Sequence, residues 1–246
     1  ATTINVTGAN WTSNAGIFTP AGSNVIFNGT GAQAINGTAT SQNFYSLTTN
    51  KSAGTLSVAG STDTLTIDGN HSILAGTFNA GTADVINLHG NWSMTGGTFT
   101  NTGNNVVLNG SSIQLISSTG AFNSLEINNP TGSASLGTNI TVNGTLALTY
   151  GLIHTNAYTV IIPTTATVTD ASAVSYINGN EQMFVPNSAA PSETFAIGDG
   201  SGYAPVTIAF TGTTTGSGSV TAYTTGGDDA DIANSGISSD KSVNRA

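Results

Sequence analysis

The chain has 246 residues, enough for one large core or two smaller ones, and no cysteine, which suits an exported protein that does without disulfides. Only 6 % of its residues are charged, against roughly 25 % in an ordinary globular domain. Net charge is −9, and Lys51, Lys241 and Arg245 are the sole cations. Nucleic acid is thereby excluded as a partner, since phosphates need clustered Lys and Arg, and anionic lipid surfaces are disfavoured. No apolar run is long enough for membrane insertion.

In chain order, residues 1–162 hold short runs that alternate or are briefly apolar and end at Gly, Asn or Asp. They begin at Thr3-Ile-Asn-Val6, so the chain reads as a mature or excised piece of something longer. Further runs are Val25-Ile-Phe27, Gly54-Thr-Leu-Ser-Val58, Thr64-Leu-Thr-Ile67, Val85-Ile-Asn-Leu88, Val106-Val-Leu108, Ser124-Leu-Glu-Ile127, Ile140-Thr-Val142 and Val160-Ile-Ile162. Such runs bounded by turn residues are strands. The Asn-Gly pairs starting at Asn28, Asn36, Asn109 and Asn143 predict left-handed turns at the corners.

These runs repeat. At a constant offset of 81, Trp11 falls on Trp92, Phe18 on Phe99, Val25 on Val106, Gln33 on Gln114 and Ile35 on Ile116. The offset then slips to 78, where Ser46-Leu47 meets Ser124-Leu125. Within this duplication lies a shorter period: Ile67 to Phe78 reappears as Leu88 to Phe99 at an offset of 21. Units of about 20 residues that cannot each bury an apolar face predict a stacked architecture. With no 3.6-residue apolar pattern, the expectation is an all-β parallel β-solenoid (β-helix), about four coils to each larger repeat. The scarcity of charge fits, because equivalent positions stack about 4.8 Å apart and a repeated charge would repel its own copy.

Beyond Pro163 the period fades and eight of the twelve acids follow. The expected division is a solenoid over 1–162 and a C-terminal β-sandwich-like capping module over 163–246. Its strands are placed at Ala173–Ile177, Glu181–Val185, Glu193–Ile197, Ala204–Phe210 and Gly218–Tyr223.

Gly151-Leu-Ile-His-Thr155, Tyr176-Ile-Asn-Gly179, Phe195-Ala-Ile-Gly-Asp-Gly200, Tyr203-Ala-Pro-Val-Thr-Ile208 and Ser242-Val-Asn-Arg245 stand in an order that resembles large extracellular surface proteins of the Bacteroidota and Chlorobi–Ignavibacteria lineage. The resemblance implies export, surface attachment or secretion by a C-terminal sorting domain, and adhesion.

Several residues could carry chemistry. Asp63 and Asp84, one coil apart, would stack at a separation close to that of a retaining glycosidase pair, or be two solvated turn carboxylates. A lyase would need cations, and Lys51 is the only one in the solenoid. His89 is expected beside Asp68 across one coil. Asp228, Asp229 and Asp231 alternate in a Gly-rich loop that could hold calcium or be a solvated turn, while Asp199 reads as part of a tight turn. Trp11 and Trp92 could stack on carbohydrate or belong to the core. Asn-X-Ser/Thr triplets at Asn5, Asn10 and Asn28 follow from composition. An ice-binding ladder is not supported, because Thr64-Leu-Thr66 meets Val85-Ile-Asn87 one coil later.

The leading expectation is a non-enzymatic extracellular segment, a stiff spacer or fibre subunit of the cell surface. It would associate head to tail with itself or with neighbouring modules, and with surface glycans. The alternative is a carbohydrate-binding or carbohydrate-cleaving β-helix protein.

Overall fold

The computed structural model describes residues 2–14, 18–216 and 218–226. Among these the chain is all-β, with no helix, and its parallel strands stack as a β-solenoid of about nine turns.

Each coil has three faces. The first is laid down by Thr3–Val6, Asn24–Phe27 and the start of Ser46–Val58, then by the start of His71–Asn79, by Trp92–Met94 and by Gln114–Ser118. The second runs through Gln33–Asn36, the ends of the two long strands and Thr98–Thr100. The third is the most regular: Ser41–Phe44, Thr64–Ile67, Val85–Leu88, Asn105–Leu108, then residues within Phe122–Asn128 and Ile140–Tyr150, and Thr167–Thr169. Alternation does the sorting: in Thr64–Ile67, Leu65 and Ile67 are buried while Thr64 and Thr66 are half-buried outside them. Inward residues then meet their equivalents one coil away, as in Ile67 on Leu88 and Phe78 on Phe99, whose rings stack at 5.8 Å.

The 81-residue duplication is not a whole number of coils. Val25 lies on the first face and Val106 on the third; Gln33 lies on the second face and Gln114 on the first. One repeat therefore spans three coils and two further faces, rather than four coils, and equivalent residues point to different sides of the rod. What the duplication preserves is interior chemistry. Gln33 is buried; its Oε1 accepts from the Gly29 N–H at 3.1 Å and its Nε2 donates to the carbonyls of Val6 and Ala9. Gln114 does the same with the Gly110 N–H at 2.9 Å and the carbonyls of Leu88 and Gly90. Each Gln thus satisfies three backbone groups of a corner buried away from water.

The glutamine hook also corrects the reading of the Asn-Gly pairs. Of their four glycines only Gly37 has a positive φ, at 122°. Gly29 and Gly110 are glycines for space, because a Cβ there would strike the carbonyl of Thr7 or His89 and the hooking side chain. Other left-handed corners lie outside these pairs: Gly76 (φ 77°) and Gly97 (φ 71°) stack one coil apart, and a Cβ on Gly97 would meet the Gly76 carbonyl oxygen. That contact explains the repeated Gly-Thr-Phe.

The parallel stack does not stop at Pro163. Ile177–Val185 pairs parallel to Ile153–Ile162, and Ile197–Asp199 pairs parallel to it in turn. Ile177 and Glu181 to Val185, expected in two separate strands, meet in the single strand Ile177–Val185, which continues the stack. The antiparallel parts are smaller than a sandwich: Gly218–Ala222 closes over Ile177–Val185, Ser192–Phe195 pairs with Val206–Ala209, and Asp199–Gly202 makes a hairpin. The Asp199 carboxylate accepts from the Ser201 N–H at 2.7 Å, so it does serve a tight turn.

Candidate functional site

Trp92 is not a surface platform. It is 1 % exposed, enclosed by His71 at 4.7 Å, Phe99 at 4.8 Å and Phe122 at 5.1 Å between ring centroids. Trp11 is half-buried against Phe18 and Phe44 at the N-terminal end of the stack. The two indoles also lie on different faces, since one pairs with Ile35 and the other with His71 and Ile116. A large apolar ring repeated at an inward position fills the core, and a pair of Trp side chains stacking on one sugar chain is ruled out.

The ionisable groups of the interior are equally withdrawn. His71 is fully buried among Leu47, Phe78 and Trp92, and burial pushes its imidazole down to about 3. Lys51 is 0 % exposed; its ammonium donates to the Gly29 carbonyl at 2.7 Å and to Gln33 Oε1 at 2.6 Å, and desolvation lowers its pKa. Asn129 occupies the equivalent place above Gln114, donating to Gln114 Oε1 at 3.1 Å. Lys51 is therefore a structural donor that no outside ligand reaches. In the last coils Glu181 is buried above Val160, accepts from the Ala196 N–H at 2.7 Å, and is pushed up by burial to about 8.

Asp63 and Asp84 do sit one above the other, joined by the hydrogen bond from the Val85 N–H to the Asp63 carbonyl, and both are exposed. The next place is Asn104, which turns inward and caps the carbonyls of Ala83 and Gly81. The carboxylate pair thus stands on a convex corner. Among the described residues no three metal-ligating side chains converge; Asp228, Asp229 and Asp231 lie outside the described residues.

A different column gathers chemistry on the outside. Where the third face turns into the first, successive coils present Tyr45, Asp68, His89, Asn109, Asn128 and Tyr150 at one equivalent position. His89 Nδ1 lies 3.1 Å from Asp68 Oδ1, the contact expected from the offset of 21, and these side chains remain 39 % and 36 % exposed. Asn43 donates to Asp68 Oδ2 at 3.3 Å, and Asn109 donates to Asn87 Oδ1 at 3.3 Å. Glu126 is held by Asn105 at 3.2 Å, Asn128 at 3.1 Å and Thr149 at 3.2 Å. The result is a fixed row of amides and carboxylates with an exposed tyrosine at each end, Tyr45 at 43 % and Tyr150 at 49 %.

The expected lack of a threonine ladder at Thr64-Leu-Thr66 holds, since Thr64 pairs with Val85 and Thr66 with Asn87. A short ladder lies one face away, where Thr55, Thr77 and Thr98 stack beside Ser57, Asn79 and Thr100. It spans three coils, and its second track mixes Ser, Asn and Thr. Comparison with family models, curated proteins and solved structures returns no match to this chain.

Proposed function

We propose that this chain is a non-enzymatic structural and adhesive segment of an extracellular surface protein, working as a stiff spacer. The observation that carries the reading is the unbroken parallel stack from Thr3–Val6 to Ile197–Asp199, with a continuous apolar interior. About nine turns at roughly 4.8 Å each give a rod of about 43 Å. Every coil shares backbone hydrogen bonds with its neighbours, so bending would break many at once. The surface suits exposure outside a cell: uncharged amides and hydroxyls dominate it, and cysteine is absent. The order of motifs from Gly151-Leu-Ile to Tyr203-Ala-Pro-Val supports the same placement.

Between a spacer and a head-to-tail filament subunit, the C-terminal end favours the spacer. Gly218–Ala222 runs antiparallel along Glu181–Val185, so among the described residues the second face of the last coil has no open parallel edge to receive another rod. The test is labelling of intact source cells with antibody raised against the purified chain. Surface labelling that disappears on protease treatment is expected. Labelling seen only after permeabilisation would overturn the reading.

A further inference from the structure

The column from Tyr45 to Tyr150 has a chemistry that the rod alone does not require. An inert face would repeat Thr, Ser and Asn as the other faces do. This corner instead carries two exposed phenol rings, the Asp68 carboxylate and an imidazole in parallel register. A second carboxylate, Glu126, stands beside the column two residues before Asn128, held by neighbouring amides and a hydroxyl. Tyr45 lies against the glycine turn above it, where a Cβ on Gly69 would meet its ring carbon Cε1 at 3.1 Å. Tyr150 follows a bulge at Thr149, which turns the Thr149 hydroxyl to Glu126 and sets the tyrosine over Asn128. The two rings are five coil steps apart, about 24 Å along the axis at roughly 4.8 Å per step.

We propose that this column is the docking track of a linear, uncharged polysaccharide lying along the rod, a statement that names the ligand of the adhesive reading above and rests on it. A pyranose ring has an apolar C–H face and a rim of hydroxyls. Tyrosine matches both, with a flat apolar ring and a hydroxyl at its tip. Between the tyrosines, amides offer donors and acceptors, and carboxylates accept hydroxyl pairs. They recur at a spacing close to the advance of an extended sugar chain per residue. Because Asp68 and Glu126 are already held in place by Asn43, Asn105, Asn128 and Thr149, little side-chain freedom is lost on binding.

Charge selects the class. Asp63 and Asp84 flank one edge of the third face, and Asp68 and Glu126 stand on the column side. Lys51 is buried, so among the described residues no lysine or arginine is available to hold a uronate or sulfate. Acidic glycans are repelled and neutral ones accepted.

The experiment is calorimetric titration of the purified chain with cellohexaose, xylohexaose, mannohexaose and chitohexaose, the corresponding trimers, and a galacturonic acid hexamer. At least one neutral hexamer is expected to bind, more than tenfold tighter than its trimer, with the acidic hexamer showing no binding. Tyr45→Ala and Tyr150→Ala should each weaken binding about tenfold or more. Tyr158→Ala, at another corner, should leave binding unchanged. Absence of binding to every neutral hexamer, preference for the acidic one, or unchanged binding in both column variants would overturn the proposal. Solution scattering of the same samples separates the two readings: an intact rod that binds no sugar removes the track and leaves the spacer standing.

Discussion

Replacing His71 with leucine, the residue that Leu47 supplies one coil below, should remove much of the acid sensitivity of the rod. The imidazole is fully buried between Phe78 and Trp92, and neither ring nitrogen has a hydrogen-bond partner. Burial lowers its pKa from 6.5 to about 3. The native state therefore holds it neutral, while the unfolded chain takes up a proton below 6.5. Its contribution is complete above that value and is lost as pH falls towards 3. At about 1.4 kcal/mol per pKa unit the full loss is roughly 5 kcal/mol, against a net stability of about 5–15 kcal/mol for a typical domain. The assay is denaturant unfolding from pH 7.5 to 3.5, followed by the fluorescence of the two tryptophans, Trp11 and Trp92. The difference between the parent and His71→Leu should move by several kcal/mol across that range in favour of the variant at low pH. A difference that stays constant with pH would refute the assignment of His71 as a neutral core residue.

Glu181 gives the opposite limb: its carboxyl is raised from 4.5 to about 8, so the native state favours the protonated form and stability is lost as pH rises from about 4.5 through 8. Glu181→Gln, which keeps an acceptor for the Ala196 N–H, should match the parent near pH 4 and exceed it by up to roughly 5 kcal/mol at pH 9; equal pH profiles in denaturant titrations would contradict this. Together the two groups place the stability plateau between about pH 4.5 and 6.5. Gln114→Leu should cost several kcal/mol, about 1–3 for each buried backbone group left unpaired, with faster amide exchange at Gly110 as its signature. Gly97→Ala should destabilise the rod by more than Gly103→Ala in thermal melts: both have positive φ, but only at Gly97 does a Cβ strike a neighbouring carbonyl.

The solenoid was legible because its coils repeat chemistry at fixed intervals. The offset of 21 placed Ile67 on Leu88, His71 on Trp92 and Asp68 beside His89, and the pairings are those. Offsets do not reveal how many faces a coil has, so the offset of 81 hid a rotation of two faces, and Trp11 and Trp92 looked like one surface. The end of the stack was misplaced for a related reason. Glu181-Gln-Met-Phe-Val185 carries an acid where an apolar residue belongs, and sequence alone does not show that this acid sits above Val160 as a buried carboxyl. Tyr45 and Tyr150 were missed because neither is repeated. A reading built on repeats passes over singletons, and only the register shows that they end the same column.

The central claim, that the chain forms a stiff rod of stacked coils, is tested most directly by small-angle X-ray scattering at pH 5.5, within the stability plateau. An elongated particle of constant cross-section is predicted, its axis at least as long as the roughly 43 Å that about nine turns occupy. A compact sphere, or the scattering of an expanded flexible chain, would contradict it.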